Sequence, residues 1–158
     1  MSVYEMALRF KREHSGTIAF RLKKHSEVIE KHLNPGEKVL YVFCGQKNEQ
    51  SYIFINSCVV ALTNKRIIIG QKRLLWGYFF TTITPDLYSD LKVRKGLFWS
   101  DVEIDTIHEN VYLTNISPEG AIEIETNITE FMMKEKKKYH INDVKIKERG
   151  NAKKFKDI

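Results

Sequence analysis

Residues 58–69 read Cys-Val-Val-Ala-Leu-Thr-Asn-Lys-Arg-Ile-Ile-Ile, two apolar runs joined by the polar break Thr63 to Arg66. No other stretch restricts the fold as much. Each run is shorter than a typical helix and rich in β-branched residues, whose stiff first torsion suits a pleated surface. Length and branching, rather than period, therefore select sheet. Thr63 and Asn64 can satisfy turn backbone with their own side-chain oxygens. A buried β-hairpin is the expected result.

Around this hairpin the chain divides by pattern. Residues 3–14 and 17–33 read as two helices separated by Ser15-Gly16, the first carrying Tyr4, Ala7, Leu8 and Phe10, the second Ile18, Leu22, Ile29 and Leu33. Asn34-Pro35-Gly36 stops the second. Such stripes usually face a core, so the helical pair is expected to dock on the sheet, with a partner or self-association surface as the alternative. From residue 37, Val39, Tyr41 and Phe43 alternate with Leu40, Val42 and Cys44, a strand covered on both faces. Residues 46–50 read as a polar turn, and Tyr52 to Ile55 as an extension of an adjoining strand. Later segments are expected to be strands at 91–95, 101–105, 111–113 and 121–124, the last two flanking a turn at Ser117-Pro118-Glu119-Gly120. Asn127, with Glu130 three residues on, reads as the capping box of a helix. Residues 141–158 are compatible with a strand, a second helix or a tail.

The ordered series Thr63-Asn64-Lys65-Arg66 then Ile67-Ile68-Ile69, Ile83-Thr84-Pro85, Leu91-Lys92-Val93-Arg94-Lys95, Gly96-Leu97-Phe98-Trp99, Asp101-Val102-Glu103-Ile104 and Asn127-Ile128-Thr129-Glu130-Phe131 resembles bacterial pleckstrin-homology-like (PH-like) domains over residues 37–140. The resemblance implies a small antiparallel β-barrel closed by a C-terminal helix. On that basis residues 1–36 form an N-terminal helical extension, 37–140 the barrel with its helix, and 141–158 a basic tail. It also implies a scaffold that presents binding loops, without naming a ligand.

Charge placement narrows the partners. The 158 residues carry 26 Lys and Arg against 20 Asp and Glu, and the entire excess of +6 lies in residues 131–158; residues 1–130 balance at 16 of each sign. A basic end of this kind attracts phosphate on lipid or nucleic acid without a dedicated pocket, and is otherwise a solvated tail. No apolar run approaches the roughly 20 residues that span a bilayer, and Met1 to Arg12 is too charged for a signal sequence. A cytoplasmic protein, with peripheral membrane contact as an option, is expected. Cys44 and Cys58 form no CxxC pair and are expected to be buried thiols.

No catalytic or cofactor signature is present. His14, His25, His32, His108 and His140 lack metal-ligand spacing, and there is no nucleophile motif or Gly-rich phosphate loop. The expectation is a non-enzymatic binding module with no metal, cofactor or small-molecule substrate. Three patches are candidates. Lys65, Arg66, Lys72, Arg73, Lys92, Arg94 and Lys95 are cations at strand ends, and in eukaryotic pleckstrin-homology domains such clusters hold inositol phosphates through charge-assisted hydrogen bonds. Here the first hairpin loop, Gln46 to Gln50, has one Lys and one Glu and lacks the usual basic signature. Trp76, Tyr78 and Phe80 lie in phase with Leu74 beside Arg73; burial is the plainer expectation, an exposed partner or membrane surface the sharper one. Asp101, Glu103 and Asp105, with Glu123 and Glu125, read as a solvated acidic wall that repels phosphate. The partner classes are thus a protein or a second copy, an anionic lipid surface reached through residues 73–80 and the Lys-rich end, and, third, nucleic acid.

Overall fold

The computed structural model describes residues 1–47 and 56–154, with side chains described as far as Gly150. Its elements are α1 (Val3–Glu13), α2 (Leu22–Glu30), β1 (Val39–Lys47), β2 (Ser57–Thr63), β3 (Ile67–Lys72), β4 (Tyr78–Ile83), β5 (Tyr88–Lys95), β6 (Ser100–Thr106), β7 (Asn110–Ile116) and α3 (Pro118–Lys154). The strands form one antiparallel sheet in the order β4-β3-β2-β1-β7-β6-β5.

The expected hairpin is β2 and β3. Every residue of β2 is buried, and Ile67, Ile68 and Ile69 face it in register with Leu62, Ala61 and Val60. Thr63 Oγ1 accepts the backbone N–H groups of Lys65 and Arg66 at 3.1 Å each, and Asn64 Oδ1 accepts that of Lys38 at 2.9 Å. The turn is thus held by side-chain oxygens competing for backbone donors.

β1 joins the two halves of the sheet. It pairs with β2 from Val39 to Gln46, but with β7 only at Gln46 and Lys47, so the halves diverge around a shared core. Val60, Phe43, Ile104, Leu113 and Ile116 lie in that single cluster. Among the described residues β4 and β5 do not pair, so the expected antiparallel barrel takes the form of a barrel-like sandwich whose sheet is not closed by hydrogen bonds, with α3 as its C-terminal helix. α3 packs on β5 and β6, burying Ala121, Ile124, Ile128 and Met132 at helical spacing. α1 lies on β1 and α2 on β3. Val3, Met6, Ala7 and Phe10, at i, i+3, i+4 and i+7, supply the buried stripe of α1, which opens with a Ser2–Glu5 capping box.

Several expectations fail for physical reasons. Thr17 to Phe20 is not helical. Thr17 and Ala19 are buried, the Ile18 N–H donates to the Asn115 carbonyl at 2.8 Å, and the Phe20 N–H donates to Ser57 Oγ at 2.9 Å. This extended strap ends at Arg21, whose φ of 55° is left-handed. The closing helix begins at Pro118, not Asn127: Ser117 Oγ accepts the Gly120 N–H at 3.1 Å, and proline suits the first helical position because its missing N–H would have no partner there. Ala121 to Ile124 are therefore helix, not strand, and Asn127 sits mid-helix with its amide donating to the Glu123 carbonyl at 2.8 Å. The segment from 141 to 154, open in sequence, continues α3. The expected polar turn at 46–50 is also displaced, since Gln46 and Lys47 belong to β1; its remainder and the expected strand at Tyr52 to Ile55 lie outside the described residues.

Candidate docking surface

The candidate cations and the aromatic segment separate into three places. Lys65 and Arg66 occupy the β2–β3 turn, Lys72 to Tyr78 the β3–β4 hairpin, and Lys92, Arg94 and Lys95 strand β5. Several of the cations already have carboxylate partners. Arg66 Nε and Nη2 donate to the two carboxylate oxygens of Glu37 at 2.9 and 3.0 Å, and Nη2 also donates to the His32 carbonyl at 2.9 Å. Burial would raise the Glu37 pKa, but hydrogen bonds from Arg66, the Asn34 backbone and Thr63 prevail and lower it to about 2. This fork ties the chain after α2 to the hairpin turn.

On β5 and β6 the register sets Lys92 opposite Glu103 and Arg94 opposite Asp101. Lys92 Nζ reaches Asp105 at 2.5 Å and Arg94 Nη2 reaches Glu103 at 3.3 Å. Glu103, expected on a solvated acidic wall, is only 5% exposed and also accepts from Asn110 at 2.9 Å. Glu123 faces His14 across α1 and α3 at 2.7 Å. On β5 and β6 two of the expected cations thus partner two residues of the acidic wall, Lys92 with Asp105 and Arg94 with Glu103, while Lys95 remains exposed at the strand end.

The β3–β4 hairpin is different. Its apolar residues face water, against the expectation of burial: Leu74 is 59%, Leu75 78%, Trp76 77%, Tyr78 49% and Phe79 52% exposed. Phe80 is partly buried, with its ring stacked on His32 at a centroid distance of 4.3 Å. The hairpin closes through the Arg73 N–H donating to the Gly77 carbonyl at 3.1 Å, with Gly77 at φ 80°, a conformation costly for any residue with a Cβ. The Arg73 guanidinium sits 5.2 Å and Lys47 Nζ 6.0 Å from the Phe79 ring centroid, cation on aromatic face. Lys47, Asn56, Gln71, Arg73, Leu74, Leu75, Trp76 and Phe79 line a cleft of about 320 Å³.

The foot of the hairpin is fixed by α2 and the strap before it. The Lys72 N–H donates to His25 Nδ1 at 2.8 Å, and Arg21 reaches the carbonyls of Lys72 and Arg73 at 3.5 Å each. Burial, reinforced by the Arg21 charge, lowers the His25 pKa to about 4, so the ring is neutral and can accept this bond.

Residues 33–130 match the bacterial PH domain family, a span of more than half the chain. The chain belongs to that family. In this bacterial PH domain α1, α2 and the part of α3 beyond residue 130 lie outside the matched span. No curated protein matches the sequence. The family is one of binding modules, and no helix of the described residues is long and apolar enough to cross a membrane. Sequence reading did not single out Lys47, Asn56 and Gln71 as cleft residues, because only the β1–β2–β3 register brings them together. Arg21 carried no signal either, whereas the unbroken Leu74-Leu75-Trp76 run beside Arg73 did.

Proposed function

We propose that this bacterial PH domain is a non-catalytic docking module that attaches peripherally to anionic lipid surfaces through the Arg73 to Phe80 hairpin. One observation carries the reading: Leu74, Leu75 and Trp76 stand 59%, 78% and 77% exposed on a turn whose foot bears Lys72 and Arg73. Apolar side chains enter the headgroup and acyl boundary while the cations stay with the phosphates. Docking involves no bond making. In keeping with that, burial pushes the Cys44 and Cys58 thiols up to about 12, away from nucleophilic use.

Co-sedimentation with phosphatidylcholine vesicles containing phosphatidylglycerol tests the reading. Binding is expected at low salt, weakening as salt rises, and the double variant L75S/W76S should lose it. A wild-type protein that stays in the supernatant at low salt refutes the proposal.

The Lys-rich end contributes charge more than a wedge. Ile141 and Val144 lie on one side of α3, Tyr139 and Ile146 on another, so no single apolar face forms. The part of α3 nearest the body contacts the β4–β5 connection, where Lys136 Nζ lies 5.3 Å from the Tyr88 ring, and Tyr139 and His140 border Pro85 and Asp86. Nucleic-acid binding, which calls for the basic end to run beside the exposed aromatic hairpin, gains no support from these contacts. Protein docking draws on one observation: residues 137–150 of α3 are exposed throughout, and a lone helix of that length is marginal in water unless something packs on it. Light scattering across a concentration series tests a second copy as that partner; a monomer throughout removes it.

A further inference from the structure

A second turn repeats the chemistry of the first. Lys95-Gly96-Leu97-Phe98-Trp99 joins β5 to β6, as Arg73-Leu74-Leu75-Trp76-Gly77 joins β3 to β4, each a cation followed by a run with two aliphatic or aromatic residues and a tryptophan, and neither contains Asp or Glu. Leu97 is 86% and Phe98 70% exposed, and Trp99 45%. Lys95 pairs with Ser100, so the turn is only four residues long and projects from the strand ends. Gly96 is required for it, because a Cβ there would stand 2.3 Å from the Trp99 carbonyl oxygen.

The two turns are tied to opposite ends of one strap. Trp99 Nε1 donates to the Gly16 carbonyl at 2.9 Å, while Arg21 reaches the Lys72 and Arg73 carbonyls. Gly16 and Arg21 are five residues apart, so their tethers lie within about 18 Å of each other along an extended chain. Between them the strap is pinned by the Ile18 bond to Asn115 and the Phe20 bond to Ser57. The spacing of the turns is therefore built into the fold.

We infer that Leu97, Phe98 and Trp99 form a second wedge for the same anionic bilayer, held at fixed spacing from the first by the strap 16–21. The inference rests on the reading of the β3–β4 hairpin as a lipid-docking element. Charge selects the occupant. Lys95 and Arg73 supply positive charge at the foot of each turn, and Asp101, the nearest carboxylate in sequence, lies opposite Arg94 in the ladder. Tryptophan at headgroup level, with Leu and Phe reaching deeper and a cation behind, matches the layering of a bilayer interface. Two weak insertions at fixed spacing bind far more tightly than either alone, because the second is intramolecular once the first is made.

The chain has two tryptophans, one in each turn, so each can be read separately. W76F leaves Trp99 as the only indole, and W99F leaves Trp76. Each variant is mixed with phosphatidylcholine and phosphatidylglycerol vesicles containing brominated acyl chains, and quenching is followed. The inference expects Trp99 to be quenched in W76F, and L97S/F98S to weaken vesicle partitioning by about tenfold or more while residual binding persists through the first hairpin. Quenching of Trp76 in W99F without quenching of Trp99 in W76F overturns the second wedge and leaves the first reading standing. Quenching of neither overturns both.

Discussion

Gly70→Ala is the sharpest test of how the N-terminal helices are joined to the domain. Gly70 lies in β3 opposite Val59 on one side and Phe80 on the other. In an extended strand with ordinary backbone angles, alanine restricts the unfolded chain more than glycine and normally stabilises by about 0.4–1 kcal/mol. Here α2 reverses the sign. A Cβ at position 70 would stand 2.6 Å from Ile29 Cγ1 and 2.9 Å from the His25 carbonyl oxygen. The isoleucine has no room to withdraw, being fully buried, and the carbonyl belongs to helix backbone, so α2 must lift. Overpacking of this kind costs about 1–3 kcal/mol, leaving a net loss of roughly 1–2 kcal/mol after the entropic gain. For a chain of this size that lowers the melting temperature by about 2 to 8 °C. Urea denaturation followed by circular dichroism should show a lower midpoint at unchanged slope. Gly150→Ala is the control: nothing lies within 4 Å of its Cβ position, and its midpoint should not fall. A G70A protein as stable as wild type, or more so, would show that α2 does not rest on β3 at this point.

Two further outcomes follow from the same joint. The His25 pKa is depressed in the fold from 6.5 to about 4, so the unfolded chain binds the extra proton between these values; its contribution is fully present above pH 6.5 and lost on acidification towards pH 4, amounting to about 3 kcal/mol, and His25→Asn, which keeps an acceptor near Nδ1, should flatten the urea stability profile across that window. Arg66→Ala leaves the Glu37 carboxylate, whose side chain is fully shielded, without its bidentate partner, and should cost about 3 kcal/mol in urea denaturation, whereas R66M/E37M recovers most of the loss; a fully stable R66A would refute the structural assignment of this arginine.

How much of this was legible in sequence depended on whether the deciding interaction was local. The β2–β3 hairpin could be read because its cause lies within residues 58–69: branched side chains for a doubly covered strand pair, and Thr63 and Asn64 to hold the turn. Thr17 to Phe20 could not, since the partners that pull it straight, Asn115 and Ser57, are distant in sequence. The start of α3 had a local signal, Ser117 followed by proline and Glu119, but the same residues with Gly120 also spell a turn. Placing the start there makes Ala121, Ile124, Ile128 and Met132 a single helical stripe. The candidate cations illustrate the same limit. Sequence shows that Arg66, Lys92 and Arg94 are basic; only register shows that Glu37, Asp105 and Glu103 already face them. What survives as available for docking is the charge at the turns and the apolar residues beside it.

The N-terminal addition bears directly on that docking. A free five-residue turn carrying Leu74, Leu75 and Trp76 would lose backbone freedom on entering a lipid interface, at about 1–2 kcal/mol per residue fixed. In this fold much of that ordering is already done. His25 accepts the Lys72 N–H, Arg21 meets the next carbonyls, and Arg73 closes onto Gly77. Rigid presentation raises affinity by cutting the entropy lost on contact, without adding any contact. The residues responsible, Arg21 and His25, precede the matched family span. The helical pair therefore acts on the proposed site as a brace, and its loss should weaken docking even where the hairpin sequence is intact.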